Sequence, residues 1–227
     1  MGAAGGDEPL VVLHGDPAAP PRPARSTGLF HMAFLLPERL DLAHALLRLA
    51  ERGWPLTGAS DHLVSEALYL SDPDGIGIEI YRDRPREEWS VEDGQVRMAT
   101  LPLDLDDVAR AAQGPAPPRA PEGTRMGHVH LNVADLGTAE AFYAGELGFD
   151  VTARNYPGAL FLAAGGYHHH IGANTWRGEG APPPPPGAVG LRRFTIVAPG
   201  QSQAEAADPS GNALVIRGAS DPRGGLA

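Results

Sequence analysis

The chain has 227 residues, with 28 acidic against 18 basic side chains and a formal charge of −10. It carries no Lys/Arg block of the kind that grips a phosphate backbone, so nucleic acid is not expected as a partner. Cysteine is absent, which excludes disulfides, thiolate metal sites and a cysteine nucleophile, and leaves His, Asp, Glu or water to hold any metal. The start MGAAGGDEPLVV has neither the basic nor the apolar region of a secretion signal, and no apolar run approaches the roughly 18 residues of a membrane span, so a cytoplasmic protein without membrane contact is expected.

Proline (23) and glycine (29) gather at 16–28, 114–124 and 178–190. Proline fixes φ and cannot donate to a ladder, so these stretches are loops that divide the chain into unequal pieces. Residues 9–14 (PLVVLH) read as the last strand of a module whose beginning is absent, followed by a proline-rich linker to residue 28. Residues 29–36 (LFHMAFLL) read as a strand. Then Leu42, Ala43, Leu46, Leu47, Leu49 and Ala50 recur at helical spacing until Gly53 stops the helix. A weak strand at 54–58, a strand at 67–70, the turn DPDG at 72–75 and a strand at 76–81 complete a βαβββ module over 29–89. Residues 90–124 read as a linker.

The plan repeats over 125–176: a strand at 127–133 (GHVHLNV), a helix at 135–147 capped by Gly148, and strands at 149–153, 159–163 and 167–173. After a proline-rich loop at 177–190, a shortened final module occupies 191–227. There RFTIVAP (193–199) aligns with HMAFLLP (31–37), and DPSGNALV (208–215) with DPDGIGIE (72–79), with no room for a helix between them. The expected fold is therefore α+β, built from repeated βαβββ modules that form curved mixed sheets.

His31 and His128 occupy the same place in the two complete modules. Strand side chains alternate, so His128, His130 and Asn132 share a face, Glu79 shares one with Tyr81, and His168 shares one with His170. Histidine and carboxylate presented from several strands suit a facial site for Fe(II) or Mn(II) that leaves positions open. The expected ligands are His31, Glu79 and His128, joined by one of His168 or His170, with His170 taken as the fourth and His169 sent to the opposite face. In the third echo Arg193 stands at the place of His31 and Val215 at that of Glu79, and neither offers a lone pair. His62 is a candidate acid or base, the imidazole being the side chain most often used for proton transfer, and Tyr81 a candidate hydrogen-bond donor to bound oxygen. The plainer alternatives are a core histidine at 31, a solvated loop histidine at 62 and a packing role for Tyr81. His14 and His44 are read as structural or exposed.

The segments GLFHMAFLLP, SDHLVSEALYLSDPDGIGIEIYRDRPREEW, GHVHLNVADL and AGGYHHHIGANTW resemble the catechol 2,3-dioxygenase branch of the vicinal oxygen chelate superfamily, which includes glyoxalases, bleomycin resistance proteins and extradiol dioxygenases. The resemblance spans about residues 9–217. It implies a glyoxalase-like fold and a non-haem metal, Fe(II) first, with Mn(II), Ni(II) or Zn(II) as other occupants. The ligands would sit on opening and closing module strands, which map onto His31, Glu79 and His128. The implied substrates are a small aromatic diol and dioxygen, and the implied reaction opens the ring beside the diol. The same scaffold serves glyoxalase-type isomerases or lyases, which a fourth protein ligand would favour, and non-catalytic binding or resistance proteins. Incomplete end modules leave sheet edges unpaired, from which a homodimer is expected, the alternative being that the proline segments 182–186 and 17–23 fold back and cap the edges within one chain.

Overall fold

A computed structural model describes residues 2 and 9–218. Strand β1 (Gly28–Leu36) alternates, with Leu29, His31, Ala33 and Leu35 buried and Phe30, Met32 and Phe34 partly so. Helix α1 (Arg39–Glu51) starts at a reciprocal capping box between Glu38 and Asp41, which satisfies two of the amides a helix start leaves without partners. Its Leu42, Ala43 and Ala45 pack on Leu36 and Leu68. Strands β2 (Gly58–Asp61), β3 (Ser65–Ser71) and β4 (Gly77–Asp83) follow. Asp72 turns the chain between β3 and β4 by accepting the amides of Asp74 and Ile76, and β4 returns parallel to β1.

The stretch 90–124, expected to be a linker, is partly ordered. It forms a hairpin of β5 (Val91–Glu92) and β6 (Gln95–Val96), then β7 (Leu101–Pro102) and α2 (Leu105–Arg110), and β7 pairs with β2. The second module comprises β8 (Arg125–Asn132), α3 (Leu136–Glu140), β9 (Asp150–Ala153), β10 (Ala159–Ala163) and β11 (Ile171–Asn174). The helix expected over 135–147 is split: α3 runs into a wider π turn at Ala141–Glu146. The two modules meet where β1 and β8 pair antiparallel, giving a curved half-barrel sheet of order β7-β2-β3-β4-β1-β8-β11-β10-β9.

The third echo forms its own sheet of β12 (Phe194–Val197), β13 (Ala204–Ala207) and β14 (Ala213–Arg217), in the order β12-β14-β13. This repeats β1-β4-β3 with the helix and β2 removed, and the parallel pairing of Thr195 with Val215 matches that of Ala33 with Glu79. Buried Asp208 anchors the small sheet by accepting the Tyr143 hydroxyl and the amides of Ser210 and Asn212, while Leu214, Phe194 and Ile196 join the apolar cluster of the second module.

Residues 9–14 form no strand, so the expected pairing of two copies through an orphan strand loses that basis. Among the described residues no helix is long and apolar enough to cross a membrane.

Candidate metal centre

The seam between modules gathers the chemistry. Register places Ala33 between Glu79 on β4 and His128 on β8, with His31 two residues earlier on the same face. The His31 and His128 Nε2 atoms lie 2.9 and 3.1 Å from Glu79 Oε2, and 3.4 Å from each other. All three side chains are buried. Bonds of about 2.1 Å at right angles would put neighbouring ligand atoms about 3.0 Å apart, so this triangle fits one face of a divalent-ion site. Protons alone fit it less well. If both imidazoles donate to the one carboxylate oxygen, two N–H groups face each other across 3.4 Å, whereas three lone pairs converging on one cation satisfy all of them.

The electrostatics agree with this arrangement. Burial raises the Glu79 carboxyl, but the adjoining His128 and His31 outweigh it and hold the group well below the usual carboxylate range. Burial drives the His128 imidazole down to about 4 against the opposing pull of Glu79. The set is thus an anionic carboxylate with His128 uncharged near neutrality, which is the protonation that ligation needs. Gly77 makes room for it, because a Cβ there would lie 3.0 Å from His31 Cβ and would collide with the Phe30 carbonyl.

The triad lies in the wall of a cavity of about 550 Å³, within the range of about 300–1,000 Å³ usual for small-ligand sites. On one side stand His62 and Tyr69. His62 Nδ1 lies 2.6 Å from the Ala99 carbonyl, to which it can only donate. Its Nε2 is then left to accept the Tyr69 hydroxyl at 2.7 Å. Tyr69 faces Glu79 across the β3/β4 ladder, and burial followed by that negative charge pushes its hydroxyl well above the ordinary tyrosine value. The tight turn after His62 holds Leu63 at φ 69°, uncommon for a residue with a branched side chain, and Asp61 stabilises it by accepting the Leu63 amide. The other side is aromatic: Phe30, His130, Phe161 and Trp176 pack edge to face or tilted, with ring centroids 5.2–5.7 Å apart.

Two expected site residues lie elsewhere. Tyr81 is fully buried and does not line the cavity; its hydroxyl bonds that of Tyr167, which in turn donates to Asp83. His170 lies outside the triad, half-buried, with Nδ1 accepting the Ala164 amide. His168 is turned to Asp83. The alternation argument failed here because β11 begins only at Ile171, leaving 167–170 irregular. His169, assigned to the far face, lines the cavity instead and packs on His128 with ring centroids 4.1 Å apart. Sequence reasoning also passed over the site roles of Tyr69 and His130. The available signal for His130 was Gly172, since a Cβ at that position would lie 2.8 Å from the His130 ring.

The model of the glyoxalase/bleomycin resistance protein/dioxygenase superfamily matches residues 1–80 and 125–197. A catechol-2,3-dioxygenase of Bacillus subtilis (strain 168) is 49% identical over 204 residues, covering 88% of this chain and 71% of that protein. A solved structure from Bacillus subtilis subsp. subtilis str. 168 shares the fold at a TM-score of 0.55 and 12% identity, covering 84% of this chain. This chain spans 62% of that structure's length. With two complete βαβββ modules joined at a His/Glu/His seam, and with these matches, the chain belongs to the glyoxalase/bleomycin resistance protein/dioxygenase superfamily.

Proposed function

We propose that the chain is an extradiol ring-cleaving dioxygenase that holds a divalent metal, Fe(II) first, through His31, Glu79 and His128. One observation carries the reading: a buried triangle of three ligand atoms in the wall of a cavity whose other side is aromatic. Fe(II), when bound, supplies chelation of two adjacent substrate oxygens and the redox contact with dioxygen that ring opening requires.

The protein's part is to hold and sort. Glu79 stays anionic and offsets the charge of the cation. Phe30, Phe161 and Trp176 give a flat ring apolar edges to pack against and keep water off the reacting carbons. Tyr69 stands between the cavity and His62 Nε2. A diol hydroxyl can donate to the Tyr69 oxygen while Tyr69 passes its own proton to His62 Nε2, the nitrogen left free because Nδ1 is committed to Ala99. A glyoxalase-type isomerase would call for a fourth protein ligand, and among the described residues the cluster offers three.

The test is to purify the protein without chelator, measure its metal content, and follow yellow ring-fission product from catechol in air with added Fe(II). Bound metal together with product is expected. Stoichiometric Fe(II) without product from any catechol tried would sink the dioxygenase reading.

A further inference from the structure

The aromatic side of the cavity ends in a charge that no carboxylate of the described residues balances. Arg177 follows Trp176 and lines the same cavity. Together with Gly75 it also borders a second, adjoining cavity of about 340 Å³, where Arg22 joins it. The guanidinium groups of Arg22 and Arg177 bond only carbonyl oxygens among the described residues: Arg22 Nη1 donates to Leu29 at 2.5 Å and Arg177 Nη1 to Ala24 at 2.9 Å. Neither has a carboxylate within ion-pairing distance among those residues. Arg39, Arg82, Arg84, Arg97, Arg110, Arg154 and Arg193 do have one, whereas Arg25, Arg48 and Arg86 likewise donate to carbonyl oxygens; what sets Arg22 and Arg177 apart is that they stand together on the wall of one cavity. Asp74 borders the second cavity and makes no ion pair with either arginine. In a chain with a formal charge of −10, carboxylates are abundant, yet none of the described residues pairs one with these two arginines. Burial and the neighbouring Arg177 charge both weaken the hold of Arg22 on its proton, the behaviour of two like charges set side by side.

We propose that Arg177, backed by Arg22, binds a carboxylate substituent of the aromatic diol, so that the preferred ligands are anionic rather than neutral catechols. A guanidinium offers a planar fork of donors to a carboxylate, and a partly desolvated pair without protein acceptors is suited to receive one from a ligand. The assignment deepens the dioxygenase reading and rests on it for the diol end of the ligand alone; the anionic end stands on the two arginines.

The experiment compares 3,4-dihydroxybenzoate with its methyl ester, which has nearly the same shape and no charge. Titration calorimetry on the metal-free protein gives both affinities, and ring opening by the Fe(II)-loaded protein is measured separately. The wild type should bind the acid about tenfold or more tightly than the ester, the size of a charge-assisted hydrogen bond. Arg177→Gln should abolish that preference by weakening the acid far more than the ester, with an unchanged thermal unfolding midpoint reporting that the variant is folded, and Arg177→Lys should restore part of it. Should Arg177→Gln fail to fold, Arg22→Gln must narrow the preference instead. Equal affinities in the wild type, failure of the acid to bind, or a preference that survives both glutamine variants overturns the proposal. Acid preference without ring opening sinks only the dioxygenase reading, and ring opening without acid preference sinks only the anion site.

Discussion

The two complete modules share a plan but differ at one pair of positions that decides what the site can hold. In the first module Ala33 on β1 faces Glu79 on β4. When His31 is superposed on His128, the same pair in the second module is His130 on β8 and Gly172 on β11. Small beside large has become large beside small. The carboxylate exists once, and its symmetry mate is a glycine whose missing side chain is filled by the His130 ring. The seam therefore yields three ligands rather than four and turns the second module's half of the cavity into an aromatic wall. The third echo keeps the register of both modules without any ligand: Arg193 is exposed, its Nη1 3.9 Å from Glu205, and Val215 is apolar. Backbone pairing is thus reproduced three times, while the chemistry depends on which side chains meet across β1 and β8.

The largest effect expected from breaking this asymmetry is at Glu79. Glu79→Gln removes the only anion of the triad and leaves two buried imidazoles facing an amide. Metal affinity should fall by more than the roughly 10–100-fold that loss of a mere supporting partner costs, and ring opening should fall with it. Metal analysis after dialysis checks this, and retention of one ion per chain would contradict the assigned ligands.

The next effect is on the second module. Gly172→Ala would put a methyl group 2.8 Å from His130 Cγ, an overpacking expected to cost about 1–3 kcal/mol. Thermal unfolding should show the loss, and His130→Ala added to it should recover much of the cost in a double-mutant cycle. Strict additivity of the two substitutions would mean that the His130 ring does not occupy the space beside Gly172.

The smallest expected effect lies behind the first module, away from the cavity. There Glu66 pairs with Arg39, Arg82 and Arg84, whereas the corresponding β10 is apolar and its Leu160 and Leu162 join the cluster of Phe142 and Tyr143. Burial raises the Glu66 carboxyl, but Arg39 and Arg82 outweigh it and the group is lowered overall. A carboxyl lowered in the folded state contributes stability that is present above its unfolded value, near 4.3, and is lost as pH falls through the folded value. Glu66→Gln should therefore cost about 1–2 kcal/mol at pH 7 and flatten the loss of stability in acid. Denaturant midpoints from pH 3 to 7 measure it, and parallel pH profiles for wild type and variant would remove Glu66 from the account.

Repetition was legible in the sequence because hydrophobic period and turn chemistry are local: the strand at 29–36, the helix after it, the DPDG turn and their second copy all follow from neighbours a few residues apart. The placing of His31, Glu79 and His128 on strands of two modules was legible for the same reason. The tertiary structure decided which of these strands became neighbours, since the β1/β8 seam joins segments separated by a hundred residues and no local pattern encodes that pairing. It also decided the histidine run. Alternation ranks faces only within a strand, and His168 to His170 precede one, so the turn from Ala163 to Ile171 sends His169 to the cavity, His168 to Asp83 and His170 outside the triad. Tyr81 was placed correctly on the face of Glu79, yet depth is set by packing rather than by period, and Gly127 lets its ring sink beneath the site.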